Sequence, residues 1–132
     1  AMPNALRIEP QWLDARDALA IHDRQIAEHG GISGVRDPNL LDSALSRPRN
    51  QWAYGVDDPA ALASAYAYGV ARNHPFADGN KRTAWVLARL FLALNGHKLV
   101  FDDTLATQTV IALAAGELSE DELTDWFRLH LA

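Results

Sequence analysis

The sequence predicts an all-α fold, with at most a marginal two-strand element such as a short β-hairpin. Three observations predict it. Apolar residues recur at helical spacing in successive segments, proline, aspartate and serine stand where those segments begin, and glycine or proline stands where they end. The third is size: 132 residues, 48% hydrophobic and 22% charged, suit one domain over residues 1–132 with a real core and no room for a second.

Residues 10 to 29 read as the first helix, with Pro10 in its first turn, Trp12, Leu13, Leu19, Ile21 and Ile26 at helical spacing, and Gly30-Gly31 as its stop. Asp37-Pro38 opens a short second helix with Leu40, Leu41, Ala44 and Leu45 on one face, and Pro48 is expected to end it. Residues Arg49 to Asp58 carry no strong period and read as a loop or hairpin. Asp58-Pro59 begins an Ala-rich, buried helix to Asn73, closing near His74 because the residue before a proline avoids the helical region. The run from Asn80 to Asn95 is apolar on nearly every side and reads as a core helix, with Arg89 its one puzzling charge. His97 to Phe101 could form a short strand. Thr104 to Ala115 reads as a further helix, and Ser119 with Glu122 has a capping-box form ahead of a last one.

With no cysteine, disulfides, thiolate metal sites and cysteine nucleophiles are excluded. Net charge −5 argues against a general affinity for nucleic acid or anionic membrane. The acidity is local: from Asp102 onward seven acids face only Arg128, whereas residues 1 to 101 carry ten acids and eleven bases. Uncharged runs stop at thirteen residues, short of the roughly 20 a membrane span needs. The start, Ala1-Met2-Pro3-Asn4, lacks a targeting pattern, and Ala1 reads as a cloning remnant. A cytoplasmic protein is expected.

The chemistry concentrates in Arg72-Asn-His-Pro-Phe-Ala-Asp-Gly-Asn-Lys-Arg-Thr83, a polar loop between two buried helices. Lys81 and Arg82 sit in a helix first turn, where the partial positive charge of the helix makes cations unfavourable by typically ~0.3 to 1 kcal/mol each. Gly79 permits positive φ, which turns N–H groups toward one point. A bound anion, most naturally phosphate, resolves that conflict. Asp78 is placed to hold Mg²⁺ beside phosphate oxygens, His74 is suited to accept a proton near neutral pH, and Phe76 is expected to anchor the loop in the core. Taken singly, Asp78 and Asn80 read more readily as helix caps than as site residues. His22, His29, His97 and His130 carry no functional signal, and His74 with Asp78 lacks a third ligand for zinc.

The stretch resembles the Fic-like active-site loop, H-x-F-x-[D/E]-G-N-[G/K]-R, through His74, Phe76, Asp78, Gly79, Asn80, Lys81 and Arg82. Lys81-Arg82-Thr83-Ala84-Trp85 is most similar to the Doc (death on curing) toxins. The AMP-transferring Fic pattern has a second Arg where Trp85 stands. The resemblance extends over His22-Asp23, His29-Gly30-Gly31, Gly34-Val35-Arg36-Asp37 and Ala115 to Ser119, nearly the whole chain. It implies a compact Fic-like bundle around a central buried helix. It also implies transfer of the γ-phosphate of ATP to a threonine or serine of a protein, elongation factor Tu in that family, which would block translation.

By the same resemblance His74 is the base, Asp78 the Mg²⁺ ligand, Gly79 and Asn80 the anion nest, Lys81 and Arg82 the phosphate-neutralising pair, and Arg72 a weaker catalytic candidate. The family's self-inhibitory Ser/Thr-x-x-x-Glu-Gly/Asn motif is absent, so restraint is expected from a separate antitoxin. By analogy with the Fic flap, Arg49 to Asp58 is expected to dock the target. The alternatives are an AMP-transferase and a non-catalytic module that binds nucleotide or antitoxin.

Overall fold

A computed structural model describes residues 7–132; the reading of the chain start, Ala1 to Asn4, lies outside them. The chain forms α1 (Ala15–His29), α2 (Pro38–Ala53), α3 (Pro59–Asn73), α4 (Asn80–Leu94), α5 (Asp103–Ala114) and α6 (Glu120–His130). Its only β elements among the described residues are two isolated antiparallel bridges, Val35 with Phe76 and Leu99 with Leu131. The all-α expectation holds. The strand expected at His97 to Phe101 reduces to the single bridge at Leu99, which ties the C-terminus down together with Val100 N–H to His130 O and Ala132 N–H to Lys98 O.

The central helix is α3. Asp58 caps it by accepting from Ala60 N–H, Pro59 occupies the first turn, and small residues leave room for neighbours on every side. It packs on α2, α4 and α6, and more lightly on α5. Gly69 is where α2 comes closest, since a Cβ there would stand 3.1 Å from the Ala44 Cα. Helix α4 covers α3 with Ala84, Leu87, Ala88, Phe91 and Leu92 and also meets α1 and α5. It is less enclosed than its composition suggests, because Leu90 and Leu94 are 40% and 42% exposed. Arg89 lies on this open edge, its guanidinium 5.0 Å from the Phe101 ring. No helix among the described residues is long and apolar enough to cross a membrane.

Two expected boundaries move. Helix α1 starts at Ala15, not at residue 10, because side chains from distant elements claim the backbone before it. Asn95 exchanges hydrogen bonds with Gln11 N–H and C=O, and the buried Tyr66 hydroxyl accepts from Leu13 N–H (3.0 Å) and donates to Leu13 O (3.3 Å). Burial pushes the Tyr66 phenol up to about 12, so it stays protonated and able to donate. Asp14 and Asp17 then form a reciprocal capping box. Helix α2 continues through Pro48 to Ala53, which shortens the loop expected from Arg49 onward to residues 54–58 and leaves no hairpin there. Pro48 is buried, and the Ala44 carbonyl that its missing N–H leaves unserved lies against Gly69, so packing offsets the lost bond. Trp52 near the end of α2 contacts Trp12 edge-on at 6.3 Å. The expected capping box at α6 is present, Ser119 with Glu122.

Candidate active site at the head of the fourth helix

Helix α3 stops because His74 takes the left-handed conformation, φ 50 and ψ 56, with its N–H still bonded to Val70 O. The chain then runs beside residues 34–37: Pro75 O accepts from the Arg36 and Asp37 N–H groups, and Ala77 N–H donates to Gly34 O at 3.0 Å. Phe76, 1% exposed, anchors this loop and stacks on His22 at 4.0 Å. The Asn80 amide returns onto the same residue, accepting from Phe76 N–H and donating to Phe76 O, both at 3.0 Å.

His22 sets the next residue. Its Nε2 lies 2.7 Å from the Asp78 carbonyl, which can only accept, so Nε2 carries the proton. The Asp78 carboxylate accepts from Gly79 N–H (2.9 Å) and Ile32 N–H (3.2 Å), and these bonds hold its carboxyl below the usual carboxylate range, keeping it ionised. Gly31 makes this possible, since a Cβ there would stand 2.6 Å from Asp78 Oδ2.

Gly79, at φ 71, then turns the chain into α4 without capping it by any side chain. Neither Asp78 nor Asn80 serves as the cap, since both are engaged within the loop. The first N–H groups of α4 therefore point at open space flanked by the exposed Lys81 and Arg82. They open on a cleft of about 740 Å³ whose lining includes the polar His74, His29 and Arg89 and the apolar Trp85, Val86, Phe101, Val110 and Ile111. Trp85 stacks on Phe127 and meets Phe101 and Trp126 edge-on, all within 5.6 Å.

His74, Asp78, Gly79, Asn80, Lys81 and Arg82 thus line one cleft, but the side chain of Asn80, a residue 8% exposed, is engaged in bracing the loop. Arg72 is not brought into it. Its guanidinium lies by Tyr68, 5.8 Å from the ring, and against Gly116, in a separate groove of about 410 Å³. The left-handed turn at His74 sends the chain away from the face that carries Arg72. Nor does Arg49 to Asp58 border the cleft; residues 31–36 lie along the loop instead.

His22 and Gly31 fall in segments that carry the family resemblance, but the sequence assigns neither of them a role. A lone histidine inside a helix has no distinguishing local pattern, and Gly31 reads simply as part of a helix stop. Among the described residues no group of three or more potential ligands could hold a metal ion. A cation here would have Asp78 as its carboxylate and need water and phosphate oxygens for the rest, which fits Mg²⁺ and not zinc.

Comparison with known proteins gives the family. Residues 12–92 match the profile of the Fic/DOC family. The chain is 33% identical over 117 residues to the protein kinase doc of Escherichia phage P1, covering 88% of this chain and 92% of that one. It is 43% identical over 95 residues to the toxin Doc of Mycolicibacterium smegmatis, covering 70% of each.

Proposed function

Since the chain belongs to the Fic/DOC family, we propose that it is the toxin of a toxin–antitoxin pair and transfers the γ-phosphate of ATP to a threonine or serine hydroxyl of a protein target. The observation that carries this reading is the uncapped N-terminus of α4, with Lys81 and Arg82 exposed beside an ionised Asp78 and His74 in the same cleft. The names of the two relatives support it.

His74 accepts the proton of the target hydroxyl as that oxygen bonds to the γ-phosphorus. The bond from this phosphorus to the β–γ bridging oxygen breaks, and ADP leaves. The α4 N–H groups, Lys81 and Arg82 hold the phosphoryl oxygens, where charge must be neutralised in a loose transition state. Mg²⁺ held by Asp78 supplies further neutralising charge when bound with ATP.

AMP transfer is the competing reading within enzymes. Trp85 argues against it, since an uncharged ring packed on Phe127 stands where the AMP-transferring pattern has an Arg for the outer phosphates. The proposed target is elongation factor Tu, the proposed restraint a cognate antitoxin, and the proposed setting the cytoplasm. Incubation with ATP and elongation factor Tu, followed by intact mass spectrometry of the factor, tests this. A phosphate-sized increment is expected, and an AMP-sized one would overturn it. His74→Ala should abolish toxicity in a folded protein; undiminished toxicity would favour a non-catalytic binding module.

A further inference from the structure

We propose that Arg36 is a positioning residue that clamps His74 in its left-handed conformation and so aims the imidazole into the cleft. This rests on the reading of His74 as the base. His74 is the one non-glycine residue with positive φ among the described residues, and it precedes Pro75, whose ring pushes its neighbour toward extended backbone. Unrestrained, His74 would extend, and its Cα–Cβ direction would turn away from the cleft that Asp78 and Lys81 line.

The restraint comes from the segment between α1 and α2. Arg36 Nε donates to His74 O at 2.8 Å, and Arg36 Nη2 donates to Asn73 O at 3.0 Å. Those two carbonyls are related by one planar peptide and by the φ and ψ of His74. A rigid guanidinium fork that holds both therefore fixes both angles. Extending His74 would swing one carbonyl off the fork. The Arg36 N–H also donates to Pro75 O at 2.8 Å, so residue 36 grips three successive residues, 73 to 75. The same cation lies at the C-terminal end of α3, where the helix dipole favours positive charge. A lysine ammonium has three donors but on a single nitrogen at the end of a flexible stem, so it cannot hold the two carbonyls at the fixed separation of Nε and Nη2.

The test uses the labelled full chain with Arg36→Ala and Arg36→Lys. A positive φ brings the amide and α protons of one residue close together, so His74 should give a strong intraresidue HN–Hα cross-peak that falls several-fold in both variants. In the transfer assay kcat should drop roughly 10- to 100-fold, because the base is misaimed. KM for ATP should stay unchanged, because Asp78, Lys81 and Arg82 are untouched, and that constancy also reports a folded loop. A cross-peak retained in Arg36→Ala would overturn the clamp. So would full recovery of cross-peak and kcat in Arg36→Lys, or a lost cross-peak with undiminished kcat. If the unsubstituted chain transfers no phosphate, the functional reading falls, and the cross-peak still decides whether Arg36 sets the conformation of His74.

Discussion

Replacing Asn80 by alanine removes two hydrogen bonds at once, from Phe76 N–H to Oδ1 and from Nδ2 to Phe76 O, in a site where Asn80 is 8% exposed and Phe76 1%. Both Phe76 backbone groups would be left buried without these partners. An unsatisfied buried polar group costs about 1–3 kcal/mol, so allowing for partial access of water the loss is about 2–4 kcal/mol. That is a large part of a typical stability of about 5–15 kcal/mol, yet it leaves most of the protein folded at 25 °C. The thermal midpoint should fall by roughly 10 °C. Urea and thermal unfolding measure it, with calorimetry for Mg²⁺–ATP, whose affinity should fall because the loop that presents Asp78 and Gly79 is no longer braced. Asn80→Asp keeps the acceptor for Phe76 N–H but sets a carboxylate oxygen against Phe76 O, so at neutral pH it should be no better than alanine. A loss below about 0.5 kcal/mol for Asn80→Ala, the level of an ordinary surface change, would refute the bracing role.

Two further predictions concern the carboxylate. The Gly79 and Ile32 N–H groups pull Asp78 below its ordinary 3.8, so the unfolded chain takes up its proton at a higher pH than the folded one. Its contribution is present above pH 3.8 and is lost as pH falls through the lower folded value, so Asp78→Asn should flatten the acid limb of urea midpoints; parallel curves for the two proteins would contradict this. Gly31→Ala places a Cβ 2.6 Å from Asp78 Oδ2 at a φ of +120, and should cost about 1–3 kcal/mol and weaken Mg²⁺-dependent ATP binding. Gly30→Ala meets nothing within 4 Å and should pay only its backbone strain; equal effects on ATP binding at the two positions would sink the close-approach argument.

The elements read correctly from sequence are those whose limits are set by neighbours in the chain. Asp58-Pro59 starts α3, His74-Pro75 ends it, Gly79 precedes α4, and the Ser119–Glu122 box starts α6. The errors lie where a distant side chain takes over a backbone group, as Tyr66 and Asn95 do before α1, or where packing offsets a local defect, as at Pro48. In the site, six of the residues singled out are brought to one cleft because they are contiguous from His74 to Arg82. Arg72, only two positions earlier, departs because a helix face and a left-handed turn separate it from them.

The sequence by itself determined the ingredients of the cradle: a glycine that accepts positive φ, two cations in a helix first turn, a carboxylate and a histidine beside them. These depend on steric and dipolar preferences that act over a few residues. The tertiary structure alone decided what holds them in place. His22 under Asp78, Gly31 beside its carboxylate and Arg36 on the carbonyls of 73 and 74 come from α1 and the segment after it, 37 to 56 positions away. No local preference encodes such pairings, because they exist only once α1 and α3 have both packed against α4.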